Sequence, residues 1–204
     1  MEFYEAVNKR RSVREFQTRP VEKGKLRRVL EAGLKAPSHN HLREWEFILI
    51  KDIDRRKEVF KLEPSSRDFT DEMVNEWAKD APNESVKDMY LKALPIQRRM
   101  LMNAPELLVV CFRLKKTLKE CRTLFDLNCF ASVWACIENI LLAMAAEGLY
   151  GVTKIPYETI SLKKALRLPE DYEVAAIIPI GYPEGHLVRQ KTVSLQEKTH
   201  HDKW

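Results

Sequence analysis

Glycine is scarce in this 204-residue sequence, and the glycine-rich signatures of the common nucleotide-binding folds are missing. Only six glycines occur, and none forms the G-x-G-x-x-G of a Rossmann site or the G-x-x-x-x-G-K-[ST] of a P-loop. The nearest match, Gly148-Leu-Tyr-Gly151, supplies two glycines only. The sequence also lacks G-x-S-x-G and H-E-x-x-H, which argues against the common serine hydrolases and zinc proteases.

Cysteine is equally sparse, and its spacing fits neither a disulfide framework nor a zinc site. The four cysteines are Cys111, Cys121, Cys129 and Cys136. They include no C-x-x-C pair and lie in apolar sequence, so we expect reduced core residues. Two histidine pairs, His39-x-His41 and His200-His201, have no third ligand at useful spacing. The sequence therefore predicts no metal site.

Long apolar runs are absent as well. A membrane span requires about 18 uninterrupted apolar residues, and the best candidate, residues 130–149, is interrupted by Glu138, Asn139 and Glu147. The N-terminus has neither the basic segment nor the apolar segment of a secretory signal. We therefore expect a cytoplasmic protein that does not bind a membrane.

The composition is typical of one globular domain. Hydrophobic residues make up 45% and charged residues 32%, and the net charge is only +5, which excludes an intrinsically disordered chain. At about 100–200 residues per domain, the length predicts a single domain covering 1–204. The basic residues form short clusters with acids nearby and without interleaved aromatics, so we expect no nucleic-acid interface.

Hydrophobic periodicity predicts an α+β fold. Continuous apolar runs are typical of strands in a sheet covered on both faces, and these runs cover 46–51, 107–112 and 174–180. Helical spacing predicts helices over 2–9, 20–35, 126–147 and 160–168. In the first of these helices the spacing places Phe3, Ala6 and Val7 on the inner face. Gly148 is expected to close the long apolar helix.

Two further segments differ from that core. Residues 61–103 are charged and amphipathic, and we interpret them as a helical lobe that either shapes a substrate mouth or only packs against the core. Within the lobe, Ser85-Val-Lys-Asp88 has the pattern of a capping box and predicts a helix start. Residues 186–204 are mostly polar with no core of their own, so we expect an extended tail that lies along another surface, such as a partner subunit.

The main chemical signal is the segment Arg10-Arg11-Ser12-Val13-Arg14-Glu15-Phe16, which follows the first predicted helix. Three guanidiniums and a hydroxyl within five residues form a dense set of donors for a phosphate or another delocalised anion. Taken alone, the motif is at least as typical of an exposed basic turn.

Together with five other segments in the same order, this motif resembles the nitroreductase family, the FMN-dependent NAD(P)H oxidoreductases. Residues 36–45 (APSHNHLREW) are similar to the family's A-P-S-x-x-N-x-Q-P-W, and residues 139–149 to its N-L-L-L-A-A-x-x-x-G-L helix. The other similarities are 103–110 to A-P-x-L-I-V-V, 180–183 to G-Y-P, and the tail with Arg189-x-Lys191. Six such matches in the right order are hard to obtain by chance.

The resemblance implies a central mixed sheet flanked by helices, in an intertwined homodimer with one FMN in each of two clefts at the subunit interface. The residues that would hold the phosphate and ribityl chain are Arg10, Arg11, Ser12, Arg189 and Lys191. Arg14 would lie near the pyrimidine edge of the flavin, where a cation stabilises the charge that builds on reduction. The residues expected to approach from the partner subunit are Pro37, Ser38, His39 and His41. Lys154 and Ile155 would bring backbone to the N5 edge.

The same resemblance implies an enzyme that accepts hydride from NADH or NADPH at flavin N5 and passes it to a nitroaromatic, quinone or similar small acceptor, without a catalytic side chain. Two alternatives stay open: a dehydrogenase, dehalogenase or redox sensor on the same scaffold, or a non-enzymatic basic module. The sequence departs from the family twice. His41-Leu-Arg43-Glu44-Trp45 replaces N-x-Q-P-W, and Pro156, which has no N–H, lies in a loop that is usually glycine-rich.

Overall fold

The computed structural model describes residues 1–61, 70–117, 119–156, 159–187 and 193–204. These ranges contain eight α-helices and four β-strands. The helices are α1 (Phe3–Lys9), α2 (Lys23–Leu34), α3 (Ile53–Lys61), α4 (Asp71–Lys79), α5 (Glu84–Ala93), α6 (Gln97–Asn103), α7 (Asn128–Ala146) and α8 (Ile160–Leu166). The strands are β1 (Trp45–Leu49), β2 (Glu106–Arg113), β3 (Tyr150–Gly151) and β4 (Tyr172–Gly181).

The four strands form one sheet in the order β1–β2–β4–β3, and neighbouring strands pair antiparallel. A parallel bridge between Ser12 and Gly151 attaches the chain after α1 to β3. It lies outside the four strands, so in the described residues the sheet itself is antiparallel, not the mixed sheet that the resemblance implies. The α+β fold class and the three predicted strands are confirmed. Sequence reasoning missed β3, because a strand of two residues is too short to produce a hydrophobic period.

The central strands are buried on both faces, as their continuous apolar sequences predict. Since side chains alternate along a strand, Leu108 and Val110 of β2 contribute to the core shared with α2 and α7. Leu107 and Val109 lie on the other face, in the core shared with α3, α6 and α8. The sheet therefore separates two hydrophobic cores, and its edges are where the chain can present polar side chains.

Helix α7 is the longest helix, and Gly148 beyond it adopts a φ of 71°, which confirms the predicted end. It packs closely on α2, because a Cβ at Gly33 would lie only 2.8 Å from Ile140. By length and composition alone the segment Leu124–Ala146 could cross a membrane, a test that the core helix of a soluble protein also passes, and 39% of its apolar window is buried. One side of this helix is thus left uncovered by the described part of the chain.

Two local expectations are corrected by the structure. In α1 only Ala6 is buried, whereas Phe3 and Val7 are 63% and 41% exposed, because the described part of the chain does not cover that face. The lobe is helical from residue 71 onwards, and residues 62–69 lie outside the described ranges. The helix start predicted at Ser85 is wrong: α5 is capped by Asn83, whose side chain accepts a hydrogen bond from the Val86 N–H, since asparagine is as good an N-cap as serine.

Candidate functional site

The arginine-rich segment 10–16 is fastened to the β3–β4 edge of the sheet by backbone hydrogen bonds. The Val13 N–H donates to the Gly151 carbonyl at 3.0 Å, and the Glu184 N–H donates to the Glu15 carbonyl at 3.0 Å. The close approach needs a glycine, because a Cβ at Gly151 would lie 2.1 Å from the carbonyl oxygen of Pro179. The segment is therefore a fixed, extended strip, which is a better scaffold for a binding site than a free basic turn.

Two adjoining cavities lie beside this strip, and Arg14 lines both. The first, of about 530 Å³, is also lined by α5 and by the segment after β4. The second, of about 440 Å³, is lined by α5, α6 and residues 152–155. The predicted site residues that border these two cavities are Arg10, Arg11, Ser12, Arg14, Lys154 and Ile155.

Arg14 is the least satisfied charge of these cavities. Its side chain is partly buried, yet no hydrogen bond or ion pair joins it to any residue in the described ranges. Burial lowers the pKa of Arg14, because loss of water disfavours the charged form. An anionic ligand in the cavities would restore the interactions that the guanidinium has lost.

The charges around the first cavity are predominantly positive. Its lining contains four cations against two carboxylates, and the cations are Arg10, Arg11, Arg14 and Lys92. Of the two carboxylates, Glu15 is paired with Arg99 at 2.6 Å, which removes much of its effect on the cavity. The resulting field attracts an anion of the phosphate or carboxylate type.

The floor of the second cavity is built by the chain that follows β3. The N–H and the carbonyl of Lys154 form two hydrogen bonds of 2.8 Å with Ile177 of β4. The bridge buries Lys154, which is 4% exposed, and leaves Ile155 63% exposed at the cavity. Pro156, the departure from the glycine-rich loop, is buried directly after this segment and does not line the cavity.

The second predicted group lies in another part of the chain. Ser38 and His39 line a third cavity, of about 260 Å³, beside the first turn of α7, and it shares no lining residue with the other two. Pro37 and His41 border none of the three cavities. Within one chain, the structure therefore does not bring the loop at 37–41 to the arginine-rich strip.

The loop that carries Ser38 is held in a strained conformation. The Ser38 Oγ accepts from the Arg43 N–H at 3.0 Å, and the Ser132 Oγ of α7 accepts from the His39 N–H at 3.0 Å. Three of its residues adopt left-handed φ values near 50°, namely Asn40, His41 and Arg43. Such residues cost about 1–3 kcal/mol each and cluster at ligand sites. The strain coincides with the sequence that replaces the family's N-x-Q-P-W.

The remaining predicted residues, Arg189 and Lys191, lie outside the described residues, so their roles stay predictions. Sequence reasoning missed the α5 wall, in which Met89 and Ala93 line both of the first two cavities. Their i, i+4 spacing puts them on one helix face, but nothing in the sequence indicates what that face covers. In the described part of the chain, no group of three or more potential metal ligands occurs.

Comparison with known proteins supports a family assignment. A sequence model of the Nitroreductase family matches residues 7–182. The iodotyrosine deiodinase of Haliscomenobacter hydrossis is 26% identical over 190 residues, which cover 92% of this chain and 82% of that protein. The protein of the same name from Daphnia pulex is 23% identical, and the match spans 59% of its length.

Solved structures match over nearly the whole chain. An oxidized iodotyrosine deiodinase bound to FMN and 3-iodo-L-tyrosine superposes with a TM-score of 0.76 at 20% identity, covering 95% of this chain and 96% of that one. An FMN-dependent nitroreductase from Clostridium difficile R20291 gives a TM-score of 0.68 at 22% identity, covering 98% and 99%. At these identities the likeness establishes the fold alone.

Proposed function

Because the chain belongs to the nitroreductase family, we propose that it is an FMN-dependent oxidoreductase that uses NADH or NADPH to reduce nitroaromatic, quinone or similar small acceptors. The observation that carries the proposal is Arg14, a partly buried cation without a partner in the described ranges, between two cavities. FMN, with a phosphate dianion and a ring that gains negative charge on reduction, supplies the missing anion.

The side chains around the first cavity fit the anionic end of this cofactor. Arg10, Arg11 and Ser12 offer two guanidiniums and a hydroxyl to a phosphate, the donor set that forms short charge-assisted bonds. Arg14 lines both cavities and would lie beside the flavin ring, where its charge would stabilise the reduced form. When bound, FMN supplies two-electron transfer between the nicotinamide and the acceptor.

The protein contributes position, charge and exclusion of water to this reaction, and we assign no catalytic side chain. Residues 152–155 and α5 both line the second cavity, and they would form two of the walls around the ring. Met89 and Ala93 of α5 supply apolar contact area. The first wall is held by the Lys154 bridge to Ile177 and the second is a helix, so the donor and the acceptor would occupy the same place in turn against fixed surroundings.

A homodimer completes this site. The Ser38 loop and the arginine-rich strip share no cavity within one chain. In a two-fold dimer both copies use the same patch, and within it residue i of one copy contacts residue j of the other and the reverse, so one copy's loop could meet the other's strip. Large apolar side chains that such an interface could bury are exposed on α1 and in the segment before α7. These are Phe3, Tyr4, Leu124 and Phe125, which are 63–86% exposed. A mass measurement in solution that returns only monomer would contradict the composite site.

Reductive dehalogenation of an aromatic substrate is the second candidate. It is favoured by sequence relatives named iodotyrosine deiodinase, which match 92% of this chain. The two candidates share the cofactor and differ in the acceptor. The NAD(P)H oxidoreductase predicts consumption of NAD(P)H with quinones or nitroaromatics. The other predicts release of halide from a halogenated phenol by the reduced protein.

The test starts from the absorbance spectrum of the untreated protein. We expect a yellow protein with a flavin spectrum, bleached by NADH or NADPH without oxygen and restored by a quinone or nitroaromatic. A colourless protein that takes up no added FMN would refute the cofactor. A flavoprotein that dithionite reduces but that neither nicotinamide reduces would contradict the NAD(P)H oxidoreductase, and halide release by the dithionite-reduced protein would then establish the second candidate.

A further inference from the structure

The four cysteines fall into two classes, contrary to the expectation that all are core residues. Cys111 and Cys136 are fully buried, and burial raises the pKa of each thiol to about 12. Cys121 and Cys129 are partly exposed, in the segment that leads into α7. Since the thiolate is the reactive form, only the second pair is open to oxidation.

The two partly exposed thiols point at the same backbone oxygen. The Sγ of Cys121 lies 4.0 Å from the Asp126 carbonyl oxygen, and the Sγ of Cys129 lies 3.9 Å from it. The sum of these distances limits the separation of the two sulfurs to 7.9 Å. Formation of an S–S bond of about 2.05 Å requires the two sulfurs to approach each other further, through rotation of the side chains about χ1.

The chain between the two cysteines is folded back on itself. The Asp126 carboxylate accepts hydrogen bonds from the N–H groups of Arg122 and Thr123, each at 3.0 Å. It also binds the Lys116 ammonium at 2.7 Å. The hydrogen bond to Asp126 is the main cause of the raised pKa of Lys116, and the charge of the nearby Cys121 thiolate raises that pKa a little further. A cation beside a thiol favours attack by its thiolate.

We propose that Cys121 and Cys129 form a reversible disulfide within one chain when they meet a peroxide. One thiol is oxidised by hydrogen peroxide to a sulfenic acid with release of water, and the second thiol displaces a second water to form the S–S bond. Two thiols and one peroxide thus yield one disulfide and two waters. The bond joins Cys121 to the first turn of α7 and closes a loop that contains the turn Leu124–Leu127, and so restrains Phe125 and Cys129 in the wall of the third cavity.

This inference does not require a bound cofactor, although Leu124 and Phe125 of the proposed dimer interface lie between the two cysteines, and it is tested on the full chain after reduction. Hydrogen peroxide should lower the free thiols counted in denaturant from four to two, and dithiothreitol should restore four. Combined digestion with trypsin and chymotrypsin separates Cys129 from Cys136 at Phe130 or Trp134. We expect the only disulfide-linked peptides to join Cys121 to Cys129.

Matched variants decide the assignment. Cys121→Ser should abolish the linked peptide, and Cys136→Ala, which removes a buried thiol, should leave the linkage intact. If Cys136→Ala fails to fold, the peptide map of the unmodified sequence decides alone. Four free thiols after peroxide, a linkage to Cys111 or Cys136, or a disulfide that joins two chains on a non-reducing gel would each overturn the proposal.

Discussion

Two arginines of this protein lose water on folding, but only one of them gains hydrogen-bond partners within the described residues. Arg56 is 3% exposed and donates to backbone carbonyls at the end of β1 and after α6, among them Ile50 at 2.9 Å and Ala104 at 2.6 Å. Arg14 is partly buried and donates to none of the described residues. Burial lowers the pKa of both side chains, so burial alone does not distinguish them.

The difference lies in which groups complete the hydrogen bonds. The carbonyls around Arg56 lie at the end of a strand and at the end of a helix, where the regular backbone hydrogen bonds leave them without a donor. One guanidinium donates to several of them. Around Arg14 the chain offers cavities in place of carbonyls. A buried cation that the fold satisfies is structural, whereas one that the fold leaves unsatisfied indicates a ligand.

The largest expected effect is on stability, from Arg56→Met. Removing the guanidinium leaves several buried carbonyls without a donor, which should lower the free energy of unfolding by about 3 kcal/mol. Urea denaturation measures the loss. Arg27→Met is the matched control, because its side chain is 74% exposed and its ion pair with Glu31 is 3.8 Å long. If the two variants were equally stable, Arg56 would not be a structural residue, and its contrast with Arg14 would fail.

The next effect tests what holds the strip that carries Arg14. Gly151→Ala places a Cβ 2.1 Å from the Pro179 carbonyl oxygen and should cost about 2 kcal/mol of stability. FMN affinity should fall with it, because the Val13 hydrogen bond to residue 151 is displaced. Gly24→Ala is the control, since its nearest neighbour is 3.6 Å away and alanine favours a helix. Unchanged FMN affinity in Gly151→Ala would show that this anchor does not position the site.

Arg14→Met separates ligand binding from folding. A charge-assisted hydrogen bond contributes about 1.5–3 kcal/mol, so the dissociation constant for FMN should rise about 10–100-fold. The stability without FMN should stay the same or rise, because an unpartnered buried charge is removed. Fluorescence titration with FMN and urea denaturation measure the two quantities. Loss of stability with unchanged FMN affinity would make Arg14 a structural residue like Arg56.

The sequence predicts α1, α2, α7 and α8, the helical character of the lobe and the central strands, because burial of a repeating face leaves a period in the residues; it missed α3, Ile53–Lys61. It does not predict the fate of single polar residues. Arg55 and Arg56 are adjacent in the chain, yet their partners come from different elements. Arg55 pairs with Glu58 and also donates to the carbonyl of Ala165, 110 residues away, whereas Arg56 donates to carbonyls up to 49 residues away. Such partners are set by tertiary contacts, which no local pattern encodes.

The candidate site shows the same division. The arginine-rich strip could be predicted because three guanidiniums within five residues are visible as a cluster. The α5 wall could not, since Met89 and Ala93 have the spacing of any amphipathic helix. The exposed Phe3 was expected to be buried for a related reason: periodicity identifies an apolar face but does not reveal which surface covers it.

The smallest expected effect is on the pH dependence of stability, and it concerns Glu22, an exposed carboxylate that is bound by Tyr182 and Arg19. The hydrogen bond from the Tyr182 hydroxyl, followed by smaller contributions that include Arg19, lowers the pKa of Glu22 from 4.5 to about 2. A depressed folded-state pKa stabilises the protein above 4.5, and that stabilisation is lost as the pH falls through about 2. The difference in urea midpoint between the unmodified protein and Glu22→Gln should therefore be constant above that range and shrink on acidification. Glu31→Gln, whose ion pair is 3.8 Å long, is the control. A difference that does not change with pH would mean that Glu22 acts through its shape, and that partnered surface charge contributes little here.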